Sequence, residues 1–456
     1  IDYNMTYKIF FLLMLFSNFI YGAGNSDYHI HFSLFWLIPF IGILLSIAII
    51  PLINEHFWHK NFGKVSFLWA LSFTLPFLFN YGFYVSLHFL VHAIFLEYIP
   101  FIVLLFALFT ISGGIVLRGN LIGTPILNTG ILFIGTVLAS WMGTTGAAML
   151  LIRPLIRANN WRDNKLHIII FFIFLVANIG GSLTPLGDPP LFIGFLKGVD
   201  FFWTTKYMFT PMIFVSSFLL IIFYLTDNYY YKKDFNKKPS KQPVNFSIKG
   251  KFNFILLLGV IVSVILSGVY QSSLKPLILF DNTLPISFLV RDICLFLLGI
   301  ISYKITSKSL RNENGFTWFP ILEVAKLFAG IFITVIPAIS ILSENKIIFS
   351  TVSNNMYFWI TGTLSGFLDN APTYLVFFNA AGANSQYLMD NVFTLLAISS
   401  GAVFMGALTY IGNAPNFMVR SIAEENNIKM PSFFGYMIWS VSILVPIFFI
   451  YSLLWF

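Results

Sequence analysis

Apolar stretches of membrane-spanning length recur along almost the whole chain, separated by short polar segments. About 20 consecutive apolar residues suffice for a helix to cross a bilayer. Two further stretches, 121–157 and 347–383, are apolar but interrupted near the middle by polar residues. The pattern predicts an all-α polytopic membrane protein. The predicted spans are 32–53, 65–80, 98–118, 166–190, 207–226, 253–270, 285–304, 321–343, 391–412 and 432–455.

An internal repeat relates the two halves of the chain. The segment 181–192, GSLTPLGDPPLF, matches the segment 406–417, GALTYIGNAPNF, at six identical positions and a separation of 225 residues. The same separation places Thr144-Thr145 on Asp369-Asn370, and each of these dipeptides interrupts one of the two divided apolar stretches. The polar interruption and the repeated segment are therefore equally far apart in both halves. This equal spacing predicts that the two halves share one fold.

The charges of the loops indicate that the two repeats are inverted. Arg153, Arg157, Arg162 and Lys165 follow the first divided stretch, whereas the equivalent segment 379–390 contains no Lys or Arg. Because cytoplasmic loops carry an excess of positive residues, equivalent loops should lie on opposite sides of the membrane. We therefore predict two inverted repeats, each with about five transmembrane helices, a re-entrant hairpin and a broken helix.

Four segments follow from this organisation. Residues 1–24 are either a signal-peptide-like segment or a first transmembrane segment, since Lys8 precedes a short apolar run and small residues. Residues 25–226 form the first inverted repeat and residues 253–456 the second. Between them, residues 227–252 are predicted to be a basic cytoplasmic linker, in which seven lysines face one aspartate within 231–251.

Composition supports a membrane setting and excludes several classes of function. Hydrophobic residues make up 58% of the chain and charged residues 10%, against about 25% charged in soluble domains. The net charge of +8 is concentrated around the linker, so we expect the lipid bilayer as partner and no nucleic acid. The single Cys294 excludes an intramolecular disulfide. We predict a multi-pass protein of the inner (plasma) membrane.

The hairpin tips and helix breaks are the predicted binding sites. Unpaired backbone N–H and C=O groups at membrane depth are tolerated only inside protein or beside a polar cavity. Helix ends at such places can bind ions. Hard cations such as Na⁺ prefer oxygen ligands, so we predict two midplane cation sites, one in each half. No cofactor is expected, and no metal beyond transported Na⁺. The candidate cation- or substrate-binding residues are Thr144, Thr145, Ser182, Thr184, Gly187, Asp188, Asp369, Asn370, Thr409, Gly412 and Asn413.

Asp188 and Asp369 are the candidates for coupling transport to protons. Placing a charged aspartate in the membrane interior costs free energy, so an aspartate found there is expected to have a function. Burial disfavours the charged form of a carboxylate, so such a group can exchange a proton for a cation. A second interpretation stays open for both residues, since Asp188-Pro189-Pro190 and Asp369-Asn370-Ala371-Pro372 also have the sequence of a helix N-cap.

Two motifs carry a resemblance to a known superfamily. The segment 368–373, LDNAPT, resembles the signature of the antiporter and arsenite branches of the ion transporter superfamily, and the segment 180–190, GGSLTPLGDPP, resembles its counterpart in the first half. The similarity covers nearly the whole chain after about residue 30. The chain is most similar to a subgroup described both as citrate transport proteins and as NhaD-type Na⁺/H⁺ antiporters.

The resemblance implies a scaffold domain and a moving transport domain, a homodimer, and alternating access of the elevator type. It also implies that residues at the hairpin tips and broken helices bind ion and substrate. Dicarboxylate carriers of the superfamily have Ser-Asn-Thr at both tips, whereas here the tips read Gly143-Thr144-Thr145-Gly146 and Asp369-Asn370-Ala371. An acidic tip repels a carboxylate substrate and suits a cation.

The function predicted from the sequence is therefore secondary active transport, as a Na⁺(Li⁺)/H⁺ antiporter. The alternative is a cation-coupled symporter of citrate or a related organic anion, with bound cations and helix-end amides holding the anion. The sequence has no nucleophile–base constellation and no nucleotide-binding loop, so we expect neither an enzyme nor an ATP-driven pump. Transported Na⁺ and H⁺ are the expected small-molecule partners.

Overall fold

The computed structural model describes residues 30–119, 121–237, 239, 247–270, 275–344 and 351–456. The predicted signal-like segment 1–24 and most of 238–246 in the predicted linker lie outside these residues. Described residues are mainly helical, with two short two-stranded sheets. Helices and strands of the first half are α1 (Ile38–Ile53), α2 (Glu55–Tyr81), α3 (Phe83–Val91), α4 (Ile99–Ser112), β1 (Val116–Arg118), α5 (Pro125–Met142), α6 (Thr144–Ala158), α7 (Leu166–Leu175), α8 (Pro189–Leu196) and α9 (Trp203–Asp234).

The second half repeats this order of long helices, divided hairpin and broken helix. A π-helical segment, His92–Tyr98, joins α3 to α4, and short 3₁₀ segments, Ile179–Ser182 and Gly406–Leu408, lie in the two broken helices. The elements of the second half are β2 (Ser247–Lys249), α10 (Phe252–Val269), β3 (Leu277–Leu279), β4 (Asn282–Leu284), α11 (Ile286–Ile305), α12 (Lys308–Glu313), α13 (Phe319–Thr334), α14 (Ile336–Glu344), α15 (Asn354–Leu368), α16 (Asn370–Ala380), α17 (Ser385–Asp390), α18 (Val392–Met405), α19 (Ala414–Glu425) and α20 (Phe433–Trp455).

The fold is that of an all-α polytopic membrane protein, as the sequence predicts. In the described part of the chain, eight helices are long and apolar enough to cross a membrane, and the bent pair α13–α14 adds a ninth candidate. Large apolar side chains such as Phe79, Leu34 and Leu453 are exposed on the helix surfaces. Exposed apolar side chains of this kind are expected where a helix faces lipid instead of water.

The two broken helices occupy the centre of the molecule. Every residue of α7 from Ile168 to Leu175 is at most 1% exposed, and residues 395–405 of α18 are also buried. Residues buried this completely are covered by protein instead of lipid, and here the hairpins and long helices provide the cover. The breaks in these two helices therefore lie deep inside protein.

The first hairpin, α5–α6, opens toward a face rich in Lys and Arg, which we term the basic face. Its two ends meet where the Gly123 amide donates to the Ala158 carbonyl (2.7 Å). Beside it, Arg118 forms an ion pair with Glu313 at 2.5 Å, and β1 pairs antiparallel with β2. Thus the inter-repeat segment that contains β2 is attached to the base of this hairpin.

The second hairpin, α15–α16, opens toward the opposite face. Near its base, Thr394 donates to Asn354 (2.8 Å), and the Asp200 amide contacts the Met389 sulfur (3.4 Å). Asp200 follows α8, the far end of the broken helix that begins beside the base of the first hairpin. The hairpins therefore enter the molecule from opposite sides, as inverted repeats require.

The register of the repeat differs from the sequence prediction at the hairpin tips. Gly143 (φ 80°, ψ 148°) and Asp369 (φ 75°, ψ 142°) share one unusual backbone conformation, so they are the equivalent residues. Their separation is one residue longer than the 225 residues between Asp188 and Asn413 at the breaks. The pairing of Thr144 with Asp369 is therefore wrong: Thr144 corresponds to Asn370, because the first half has one additional residue between tip and break.

The end of α9 also differs from its predicted position. The span predicted at 207–226 continues to Asp234, into the segment 227–252 assigned to the linker. This extension is possible because Asp227 is fully buried and paired with Arg162 (2.6 Å) and His167 (2.7 Å) instead of facing solvent. The division of the chain at these residues remains a prediction.

Candidate functional site

Both hairpin tips and both helix breaks converge on the carboxylate of Asp188. Its Oδ1 accepts hydrogen bonds from Asn413 Nδ2 (2.9 Å) and Thr144 Oγ1 (3.2 Å), and its Oδ2 accepts from Asn370 Nδ2 (2.6 Å). All four side chains are at most 2% exposed. We term Thr144, Asp188, Asn370 and Asn413 the central quartet, in which each tip and each break contributes one residue.

Local sequence explains why four helices begin around this carboxylate. Asp188 and Asn413 precede Pro189 and Pro415, and proline fits the first turn of a helix because that turn needs no amide donor. The tips at Gly143 and Asp369 start α6 and α16. Helix N-termini carry partial positive charge, so the four N-termini stabilise a negative group placed between them.

Asp188 occupies an N-cap position without acting as a side-chain cap. It immediately precedes α8, yet its side chain makes no capping hydrogen bond to that helix and contacts the other three members of the quartet instead. Asp369 does cap its own helix, since its Oδ1 accepts from the Ala371 amide (3.3 Å). The capping interpretation therefore fits the contacts of Asp369 and not those of Asp188.

Asp369 holds a strained backbone conformation. Its φ of 75° with ψ of 142° lies in a region that glycine occupies almost alone, and its equivalent in the first half is a glycine, Gly143. A non-glycine residue held there costs on the order of 1–3 kcal/mol. The side chain is partly exposed. The protein thus maintains a carboxylate at this tip at the expense of stability.

Thr184 and Thr409 fasten the breaks to the hairpins. The Thr184 hydroxyl donates to the Ser140 carbonyl and accepts from the Leu186 amide (3.2 Å). In the second half, Thr409 donates to the Gly366 carbonyl (2.5 Å) and accepts from an amide two residues later in the same way. These two hydroxyls are already engaged, so their observed role is to hold each tip against its break.

Gly187 and Gly412 allow close approach of the backbone. A Cβ atom at Gly187 would lie 2.1 Å from the carbonyl oxygen of Gly181, and one at Gly412 would lie 2.5 Å from that of Gly406. The Gly187 carbonyl accepts from the Thr144 amide (2.9 Å). Thr145 lies one residue further into α6, is half-buried and is not a member of the quartet.

Two side-chain oxygen atoms at or near the quartet are buried and have no hydrogen-bonding partner among the described residues. They are Oδ1 of Asn370, whose amide nitrogen binds Asp188, and Oγ of Ser182 in the first broken helix. Both side chains are fully buried. Buried polar atoms are nearly always paired, and an unpaired one calls for an explanation such as a bound ion. Oxygen atoms of this kind suit a hard cation.

Sequence reasoning missed two asparagines that support the breaks. Asn416 donates to the carbonyls of Gly406 (2.8 Å) and Thr409 (2.9 Å), which the break leaves without helical partners. Asn178 in turn donates to Asn416 Oδ1 (2.7 Å), which links the two halves. The signal for Asn178 is an asparagine within an otherwise apolar stretch, and that for Asn416 is its place in the repeated segment 406–417; both side chains are fully buried.

Residues 29–456 match a family model described as "Putative citrate transport". No curated protein matches this sequence. The family match spans nearly the whole chain, including both hairpins and both broken helices. The chain therefore belongs to this citrate-transport family and is a multi-pass membrane transporter.

Proposed function

We propose that this protein exchanges Na⁺ or Li⁺ for protons across the membrane, with Asp188 and Asp369 as the exchanging carboxylates. The observation that carries the proposal is the central quartet, where Asp188 is buried among donors that are all neutral. Beside it lie the unpaired oxygens of Asn370 and Ser182. We propose two cation sites, one including each carboxylate.

The lack of a cationic partner for Asp188 favours exchange of a cation for a proton. A buried carboxylate without a cationic partner is unfavourable, and either a bound proton or a bound cation removes the imbalance. Proton and cation then compete for the same oxygens, so that binding of one releases the other. Among the described residues that contact Asp188, none is a lysine or arginine, which leaves the compensating role to the transported ion.

The two proposed cation sites differ in the position of the carboxylate. In the first half it is at the helix break, as Asp188, opposite a glycine tip. In the second half it is at the tip, as Asp369, and the break has the amide Asn413 at the position equivalent to Asp188. Because the hairpins open to opposite faces, we propose that alternating access exposes this region to each face in turn. On this proposal, the basic face is cytoplasmic and the molecule lies in the plasma membrane as a homodimer.

A second candidate is cation-coupled symport of citrate or a related organic anion. It is favoured by the description of the matching family and by the four helix N-termini, which suit an anion once a cation has neutralised Asp188. Both candidates require a cation at the quartet. They differ in whether carboxylate flux accompanies the cation.

The test is ion-induced proton movement in proteoliposomes that contain the full chain. Acid-loaded vesicles with an internal pH-sensitive dye receive Na⁺ or Li⁺ outside, and radiolabelled citrate uptake is measured in parallel. Exchange without citrate uptake supports the antiporter. Citrate uptake that depends on the cation gradient, without proton release, would replace it by the symporter.

The matched variants are Asp188→Asn and Asp390→Asn. Asp390 is an exposed aspartate in α17 whose carboxylate binds Gln386 (3.1 Å) far from the quartet. We expect Asp188→Asn to abolish ion-induced proton release and Asp390→Asn to retain it. Normal exchange in Asp188→Asn would exclude this carboxylate from the coupling mechanism.

A further inference from the structure

Arg291 in α11 is a buried arginine whose guanidinium group is only partly paired. The residue is 2% exposed, and its Nε donates to Asp292 Oδ1 (2.8 Å). Its two terminal nitrogens, Nη1 and Nη2, are buried and donate to no acceptor in the part of the chain that the structure describes. A buried charged donor without an acceptor is among the costliest arrangements in a protein.

The other well-buried arginines show what a structural role looks like in this fold. Arg311 directs its terminal nitrogens to the carbonyls of Thr110 (3.0 Å) and Ser302 (2.9 Å). Arg162 binds the carboxylate and the carbonyl of Asp227 with its two terminal nitrogens. In both cases the terminal nitrogens bind protein oxygens. Those of Arg291 do not, so its contacts do not account for its burial.

The aromatic residues around Arg291 connect it to a cavity on the side of the molecule opposite the basic face. The guanidinium lies over the rings of Phe288 (4.8 Å) and Phe192 (5.9 Å). Phe288 lines a cavity of about 400 Å³, which Lys197, Glu97 and Asp281 also line. This volume is within the range of about 300–1,000 Å³ typical of small-ligand sites.

The cavity is lined by the end of the first broken helix and by the π-helical segment His92–Tyr98. Lys197 at the end of α8 forms an ion pair with the buried Glu97 of the π-helical segment. Phe192, which covers one side of Arg291, is one helical turn beyond Asp188. A ligand bound at Arg291 would therefore contact the helix that carries the exchanging carboxylate.

We infer that Arg291 binds a carboxylate group of a small anion that enters from this cavity. The two terminal nitrogens form a planar pair of donors that matches the two oxygens of a carboxylate. Phe288 both contacts the guanidinium and lines the cavity, so we expect its side chain to rotate when the anion enters. This site is separate from the central quartet and goes beyond cation exchange.

The experiment measures anion binding to the detergent-solubilised full chain by calorimetry, in sodium-free buffer. The probes are the potassium salts of citrate and acetate, with chloride and sulfate as comparison anions. Because no transport is measured, the result is independent of whether the cation-exchange proposal holds. We expect the wild-type protein to bind citrate more tightly than chloride.

Three variants separate the outcomes. Arg291→Met should weaken citrate binding about tenfold or more, and Arg291→Lys should also weaken it because lysine lacks the planar pair of donors. Lys206→Met, which removes an exposed charge from α9, is the matched control and should bind as the wild type does.

Equal citrate affinity in the wild type and Arg291→Met would overturn the inference. So would a wild-type protein that binds none of the carboxylates, or that binds chloride as tightly as citrate.

Thermal unfolding distinguishes a ligand site from a purely structural ion pair. Without anion, Arg291→Met combined with Asp292→Asn should unfold no earlier than the wild type, since a poorly paired buried charge is lost. Added citrate should raise the unfolding temperature of the wild type and not of the double variant. A lower unfolding temperature in the double variant, with the citrate effect retained, would show that the pair is structural and overturn the inference.

Discussion

Replacing Asp369 by glycine separates its backbone cost from its chemical role. The residue has φ 75° and ψ 142°, as Gly143 does at the equivalent tip. Relief of the strain is worth on the order of 1–3 kcal/mol. Against it stand the lost hydrogen bond to the Ala371 amide, which costs only a few tenths of a kcal/mol when glycine replaces a cap, and the greater freedom of glycine in the unfolded chain, roughly 0.5–1 kcal/mol.

The net expectation is that Asp369→Gly is as stable as the wild type or more stable, by up to about 2 kcal/mol. Asp369→Ala removes the same carboxylate and keeps the strain, so it should be less stable than Asp369→Gly by roughly 1 kcal/mol or more. Both variants should lose ion-induced proton release. A protein that gains stability and loses exchange would reveal a carboxylate retained for function.

The assay is unfolding of the detergent-solubilised full chain, monitored by tryptophan fluorescence, with exchange measured on the same preparations in proteoliposomes. If Asp369→Gly unfolds before Asp369→Ala, the backbone at this tip is not strained and the reasoning fails. If either variant exchanges ions at the wild-type rate, the Asp369 carboxylate is not required for coupling.

Three further outcomes follow from other parts of the fold. Gly187→Ala should be strongly destabilising, because its Cβ would lie 2.1 Å from a backbone carbonyl; an unchanged unfolding temperature would contradict the close approach. A topology reporter fused after Lys241 should report the cytoplasm and one inserted at Ala383 the exterior, and same-side results would overturn the inverted arrangement. The hydrogen bond from Arg118 lowers the pKa of Glu313. The stability from this pair is therefore present at neutral pH and lost as the pH falls through that lowered pKa. The difference in unfolding temperature between the wild type and Glu313→Gln should shrink on acidification, and a constant difference would contradict it.

The sequence predicts the architecture well because the membrane restricts the choices. Apolar length indicates the spans, and the matching segments 181–192 and 406–417 indicate both breaks from residue identities alone. The pairing of the tips is less accessible to sequence. Gly143 and Asp369 have dissimilar side chains and are equivalent only in backbone conformation, so aligning polar residues placed Thr144 opposite Asp369 instead.

The hydrogen-bonding contacts of Asp188 also could not be predicted from the sequence. Its candidate partners could be chosen by residue type, and Thr144, Asn370 and Asn413 were all among the predicted ligands. That two of the three belong to the other repeat depends on how the halves pack, which no spacing within one half reveals. The terminal nitrogens of Arg291 illustrate the same limit, since an Arg-Asp neighbour pair suggests a complete ion pair when only Nε is engaged.

The central quartet makes the two repeats mutually dependent. A chain cut in the inter-repeat segment would leave the first fragment with Asp188 and only one of its three donors, Thr144, while Asn370 and Asn413 would remain on the second fragment. Neither fragment alone could bury that carboxylate with its hydrogen bonds satisfied. Each repeat thus completes the interior of the other, so the two repeats form one folding unit around this carboxylate.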